Sequence, residues 1–315
     1  MTVIEAEALT RRYGKHVVVD GVDLKVPAGQ IHALLGPNGS GKTTTVRMLA
    51  TLLRPNAGRA RILGFDTVTE TAQAKQQIGL VGQFHALDPR LTGLQNLTMF
   101  ARLNGFRSAA ARDHAAELLD RFDLAEAGTR PVRTYSGGMR RRLDIVAGMV
   151  LRPAVLFLDE PTTGLDPHSR NEIYRYVRDF VTEGTTVLLT TQYLDEAERL
   201  ADAITILQSG RVIATGTPAE IVAAAGSGLE IVLGDPLRRG EVAALLDPFG
   251  GRLNPAATEE DSTRMSFAFD GPGPDLLPVL RTLEGAGIDI HDIGRRAATL
   301  DDAFLALTRH EGATA

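Results

Sequence analysis

A chain of 315 residues is too long for one small domain, and 43% hydrophobic content supplies a sizeable core, so two domains are expected. A net charge of -5, from 34 Lys and Arg against 39 Asp and Glu, gives no general basic surface, and no nucleic-acid partner is expected. Zero cysteines exclude disulfides, thiolate chemistry and cysteine zinc sites, and the seven histidines are scattered without ligand spacing. The opening "MTVIEAEALTRRYG" lacks the long apolar core of a signal peptide, and no run approaches the roughly 20 apolar residues that span a bilayer. A cytoplasmic protein is expected, one whose membrane role would need a partner.

In chain order, "TVIEAEAL" and "GVDLKV" alternate as antiparallel strands do. "GQIHALLG", "QQIGLVGQ", "AVLFLDE" and "TTVLLTT" are short apolar runs separated by helical patterns, the signature of parallel strands buried on both faces of an α/β layered domain. That domain ends near Ala225 after the hairpin "AITILQSGRVIATG", whose turn is Ser209-Gly210. The segment "AAAGSG" reads as a linker. Beyond it, "LEIVLG", "RMSFAFDG", a helical "DLLPVLRTLEGAG" and "IDIHDI" suggest a second, smaller α/β domain.

Chemistry enters at "GPNGSGKTT": Gly36, Pro37, Asn38, Gly39, Ser40, Gly41, Lys42, Thr43 and Thr44, between a strand and a helical pattern. Glycines let backbone N–H groups curl around phosphates, and the helix start adds its positive dipole end. Lys42 would reach the β- and γ-phosphates, and the Thr43 hydroxyl would ligate Mg²⁺. Next, "AVLFLDEP" ends a strand in Asp159-Glu160, at the sheet edge where open α/β folds bind ligands. Asp159 can hold the Mg²⁺ hydration shell, and Glu160 can orient or deprotonate an attacking water. Alone, such a pair is more often a turn or a helix cap; beside a phosphate loop it reads as catalytic. The third signal is "YSGGMRRRLDIVAGMV", where Ser136 suits an N-cap, Gly137 and Gly138 allow close backbone approach, and a second helix start is offered to an anion. The alternative is an ordinary capped helix with a solvated face of Arg140, Arg141 and Arg142.

With these three signals in this order, the chain resembles the nucleotide-binding subunits of ABC transporters. The resemblance implies an α/β P-loop NTPase domain of ABC type over residues 1–225, with a mixed sheet core, an antiparallel β subdomain and a helical subdomain at 88–126. A C-terminal accessory α/β domain would occupy 226–315. It implies ATP and Mg²⁺ as ligands and a homodimer in which Ser136, Gly137 and Gly138 of one copy meet the γ-phosphate held by the other copy's phosphate loop. Tyr13 matches the aromatic that stacks on adenine, and Gln83 matches the glutamine that touches Mg²⁺ and water and starts the loop facing the membrane partner. Asp166, in "TTGLDP", matches the aspartate that links the two sites, although a turn or cap role suits it nearly as well on sequence alone.

Two departures narrow the family. The signature starts Tyr-Ser-Gly-Gly-Met, and Gln192 stands where most ABC ATPases carry a switch histidine. Together with "TTQYLDEAE" and a late "ATLDDAFLALT", this looks like the daunorubicin-resistance type of drug exporter subunit. The function implied is an ATPase, peripheral on the cytoplasmic face of the membrane, that powers export of a hydrophobic drug, antibiotic or lipid through a separate integral membrane permease. The competing classes are a soluble ABC ATPase acting on ribosomes or nucleic acid, and a weakly hydrolysing ATP-dependent regulator. Gln192 offers a neutral N–H₂ donor and a carbonyl acceptor but no proton transfer, so it either donates to the γ-phosphate or caps the helix that follows.

Overall fold

Apolar and polar residues alternate along Thr2–Tyr13 (β1) and His16–Pro27 (β2), which buries one face of each strand and pairs them antiparallel. A computed structural model describes residues 1–83, 86–224, 227–253, 263–269, 273–297 and 299–309. Its chain divides into two compact units, Met1–Thr215 and Gly216–Ala315.

In the first unit, β1 and β2 join Ala57–Ile62 (β4) and Phe65–Asp66 (β5) in a sheet of order β2-β1-β4-β5. The short, mostly apolar runs become Ile31–Leu35 (β3), Ile78–Val81 (β6), Val155–Asp159 (β7) and Thr186–Thr191 (β8). With Ala203–Gln208 (β9) and Arg211–Gly216 (β10) they form a second sheet of order β10-β9-β3-β8-β7-β6. The β3/β8, β3/β9, β7/β8 and β6/β7 pairs are parallel, so the carboxyl ends of these strands share one edge. Ser209 and Gly210 both take positive φ, 47° and 82°, as the hairpin reading requires.

Between the sheets lies a core that includes Ile4, Leu9, Val19, Leu34, Phe157 and Leu188, together with Val46 and Leu49 of the helix Lys42–Leu49 (α1). A fully buried side chain such as Phe157 contributes roughly 1.5–3 kcal/mol relative to exposure. The remaining helices of this unit are Thr71–Gln76 (α2), Gly93–Leu103 (α3), Ser108–Arg121 (α4), Gly137–Gly148 (α5), Pro167–Thr182 (α6) and Leu194–Leu200 (α7). A capping box between Thr92 and Gln95 starts α3. Phe122, just after α4, packs on Tyr176 and Phe180 of α6, with ring centroids 4.9 and 5.6 Å away.

The second unit contains Pro218–Ala224 (α8), Ser227–Leu233 (β11), Arg239–Leu246 (α9), Arg252–Leu253 (β12), Arg264–Phe269 (β13), Leu276–Gly285 (α10), Ile290–Ala297 (β14) and Leu300–Arg309 (α11). Its antiparallel sheet has the order β12-β13-β11-β14, which with α9 and α10 makes the ferredoxin-like βαββαβ arrangement. Leu229, Ile231, Val242, Leu246, Phe267, Val279 and Leu283 form its core. The stretch read as a linker instead ends α8 and begins β11, while Ala225 and Gly226 lie outside the described residues. α9 and β12 were not foreseen: α9 is a short, weakly amphipathic octet and β12 two residues, too little for a periodic signal.

Candidate functional site

Buried β3 runs straight into the phosphate loop, and each glycine there answers a steric demand. A Cβ on Gly36 would collide with the Leu207 carbonyl, and one on Gly41 would lie 2.7 Å from the Val18 oxygen. Gly39 and Gly41 take φ of 81° and 104°, which other residues rarely adopt. Gly41 is the N-cap of α1, and no side chain caps that end, so the first N–H groups face the loop's hollow. Pro37, Asn38 and Gly39 are exposed, while Thr44 is half-buried. The Ser40 hydroxyl is buried without a hydrogen-bond partner among the described residues. Lys42 is only 4% exposed, and its Nζ donates to the carbonyls of Gly36 (2.7 Å) and Pro37 (3.0 Å). Burial lowers the Lys42 pKa, and the carboxylates of Glu160 and Asp159 pull it partly back.

Asp159 ends β7 beside this loop. Its Oδ1 accepts from Thr43 Oγ1 at 3.0 Å and from Thr190 Oγ1 at 2.6 Å. Gln83, exposed just past β6, donates from Nε2 to Thr43 Oγ1 at 3.4 Å. Thr43, Asp159 and Gln83 thus converge. Their hydroxyl, carboxylate and amide oxygens are the hard donors that suit Mg²⁺, which needs only one or two carboxylates beside substrate phosphates. Glu160 follows with φ of 50°, a strained value for a residue with a Cβ. Its N–H donates to Thr190 Oγ1 (3.0 Å), and its Oε2 accepts from Thr163 Oγ1 (3.3 Å).

Ser136 caps α5 by accepting from the Met139 N–H at 3.2 Å. Gly137 lines a cavity of about 380 Å³ with Gln83, Arg140, Arg141, Glu160 and Thr163, and a Cβ on it would meet nothing within 4 Å. Gly138 differs: a Cβ there would collide with the Ser169 hydroxyl and lie 3.0 Å from Ser169 Cβ. Its lack of a side chain is required for packing within this chain, a demand that Gly137 does not share. Asp166 is the N-cap of α6 and accepts from Ser169 N (2.9 Å) and Oγ (2.8 Å). Backbone N–H donation from Ser169 comes first in holding its pKa down.

Tyr13 sits at the tip of the β1–β2 hairpin, 48% exposed, with the Arg11 guanidinium 4.8 Å from its ring centroid. Gln192 follows β8, half-buried, and makes no hydrogen bond to a described residue. The N-cap of α7 is Tyr193, without a side-chain cap, and the Tyr193 N–H donates instead to Thr191 Oγ1 at 3.0 Å. Gln192 therefore does not cap that helix in this structure.

Three residues here escaped sequence reasoning. Thr190 bridges the Asp159 carboxylate and the Glu160 N–H; only its position beside β7 could have marked it. Glu196, in "LDEAE", is buried and accepts from Thr162 Oγ1 at 2.7 Å, and desolvation raises its pKa. Arg141 is not on a solvated face: it is 5% exposed and donates to main-chain carbonyls of Gly82, Asp159, Glu160 and Pro161.

The ABC transporter family model matches residues 19–163. The daunorubicin resistance ATP-binding protein DrrA3 of Streptomyces coeruleorubidus is 48% identical over 308 residues, which are 98% of this chain and 96% of that protein. The daunorubicin/doxorubicin resistance ATP-binding protein DrrA of Streptomyces peucetius is 47% identical, over 98% of this chain and 92% of its own. A solved structure of an ATP binding subunit of an ABC transporter aligns with a TM-score of 0.63 and 30% identity, over 70% of this chain and 91% of that one. Near-half identity along almost the whole of both chains settles the family: the protein belongs to the ABC transporter ATP-binding proteins, in the group named for daunorubicin and doxorubicin resistance.

Proposed function

We propose that two copies of this chain close around two ATP·Mg²⁺, and that hydrolysis in each site drives a separate membrane permease that exports a hydrophobic compound. The observation that carries this is the convergence of Thr43, Asp159 and Gln83 beside Glu160, at the end of a phosphate loop whose lysine is already folded inward. Lys42 would exchange its two carbonyl partners for the β- and γ-phosphates. Thr43, Asp159 and Gln83 would hold Mg²⁺, in part through water, and the ion when bound neutralises phosphate charge. Glu160 orients the attacking water and accepts its proton. Gln192 donates an N–H to the γ-phosphate, and Ser136 with Gly137 of the partner copy closes the site. Tyr13 offers a stacking face to adenine, and Asp166 joins the two sites.

Among the described residues no helix is long and apolar enough to cross a membrane, so the transport path is assigned to the permease. We place the chain on the cytoplasmic face as a peripheral subunit. The names of its relatives make planar anthracyclines such as daunorubicin the first cargo to test.

The experiment is to purify tagged chain from detergent-solubilised membranes, identify what accompanies it, and measure Mg²⁺-dependent ATP turnover. Turnover together with a stoichiometric polytopic membrane protein is the expected result. Turnover with ribosomes in place of a membrane protein would replace the exporter by a soluble factor, and ATP binding without turnover would replace the motor by a regulator.

A further inference from the structure

Arg141 lies on α5, yet the hydrogen bonds of its side chain to described residues all leave that helix. Its Nε donates to Pro161 O (2.8 Å), Nη1 to Gly82 O (2.7 Å), and Nη2 to Asp159 O (3.1 Å) and Glu160 O (3.2 Å). Nη1 also stands 3.6 Å from Asp144 Oδ2, one turn further along α5. Asp144 in turn accepts from the Ala86 N–H at 3.1 Å. Gly82 and Ala86 stand before and after Gln83, so one buried ion pair on α5 holds both sides of that glutamine.

A guanidinium and a carboxylate taken out of water are expensive unless paired and fully hydrogen-bonded, and an apolar pair of similar volume would serve packing alone as well or better. Burial lowers the Arg141 pKa, and Asp144 is foremost among the carboxylates that offset it. A planar fork of donors can meet several fixed carbonyls at once, which a lysine ammonium cannot reproduce. The carbonyls it meets include those of three successive residues, Asp159, Glu160 and Pro161. The left-handed φ of Glu160 persists because Thr190 grips its N–H and Arg141 its carbonyl.

We infer that Arg141 is a positioning residue of the ATPase site: with Asp144 it locks the main chain around Gln83 and along Asp159–Pro161 to the helix that begins at Ser136–Gly137. The inference rests on the ATPase reading of Glu160 and Gln83 given above. A displacement of the α5 start by a closing partner would then reach the water-activating carboxylate and the metal-side glutamine through a single side chain.

The test compares wild type, Arg141→Lys, Arg141→Gln and the double variant Arg141→Gln/Asp144→Asn in the full chain. Each is assayed for kcat, KM, affinity for a fluorescent ATP analogue, and Tm. Both single variants should lose about 10- to 100-fold in kcat, the scale of a misplaced catalytic group, with nucleotide affinity little changed. The double variant also removes the carboxylate charge that Arg141→Gln leaves without its guanidinium, so Tm should recover while kcat stays low. Recovery of kcat together with Tm would reduce Arg141 to a core ion pair and overturn the proposal. Wild-type kcat in Arg141→Lys would overturn it too, as would failure of all three variants to fold. Absence of turnover in the wild type would instead sink the ATPase reading itself.

Discussion

β7 and β8 run side by side, with Asp159 in register with Thr190, yet their carboxyl ends are finished in opposite ways. At the end of β7 the working groups are tied down: Oδ1 of Asp159 takes two hydroxyls, the Glu160 N–H is held by Thr190, and its carbonyl by Arg141. At the end of β8, Gln192 has no hydrogen bond to any described residue. The same contrast separates Gly138, whose missing Cβ is filled by Ser169, from Gly137, which faces open space. On the function proposed above, groups that must keep their geometry before nucleotide arrives are preorganised by the chain, and those left open are the ones that nucleotide or a second copy would complete.

This contrast can be broken by mutation, and the largest effect belongs to the tied side. Glu160→Gln keeps size and hydrogen bonding but loses basicity, so turnover should fall about 10²- to 10⁴-fold while ATP binding persists and a closed dimer accumulates. Near-normal hydrolysis, measured as phosphate release, would show that another group activates the water. On the open side, Gln192→Ala should lower kcat about 10- to 1000-fold with little change in ATP affinity, and Gln192→His should keep substantial activity. A folded Gln192→Ala with wild-type kcat would make the bare amide irrelevant to chemistry.

The two glycines sharpen the comparison further. Gly138→Ala forces a methyl against Ser169 and should destabilise the monomer by about 1–3 kcal/mol in denaturant titrations. Gly137→Ala should leave monomer stability within about 0.5 kcal/mol of wild type beyond its small helix-propensity gain. Gly137→Asp should bind ATP as a monomer but fail to dimerise, because its carboxylate would confront the partner's γ-phosphate. Equal stability losses at both positions would erase the distinction drawn between them. The smallest effect should come from ending the chain after Thr217: the first unit holds every residue assigned to phosphate, so affinity for a fluorescent ATP analogue should be unchanged.

Much of this was legible in the sequence because it is local. The phosphate loop, Asp159-Glu160 and the Ser136 cap each declare themselves within a few residues, and the buried strands read as short, mostly apolar runs. What stayed hidden is long-range. Arg141 sits in a run of three arginines, and nothing in that run says which one turns inward to carbonyls of β6 and β7 neighbours. Thr190 looks like an ordinary β-branched strand residue until β7 is laid beside it. Gly138 has a packing reason that the sequence did not show, because spacing along a chain carries no information about Ser169.

On the role proposed for Glu160, its left-handed backbone sets up a conflict between durability and work at a single position. Relieving φ of 50° is easiest with glycine, or with asparagine, whose short side chain tolerates that region. Either exchange would lower the conformational strain and discard the carboxylate. A search for heat-resistant variants that never assays turnover would therefore accept such exchanges here as readily as at Leu63, which has the same φ, and on the proposed role of Glu160 would enrich inactive proteins.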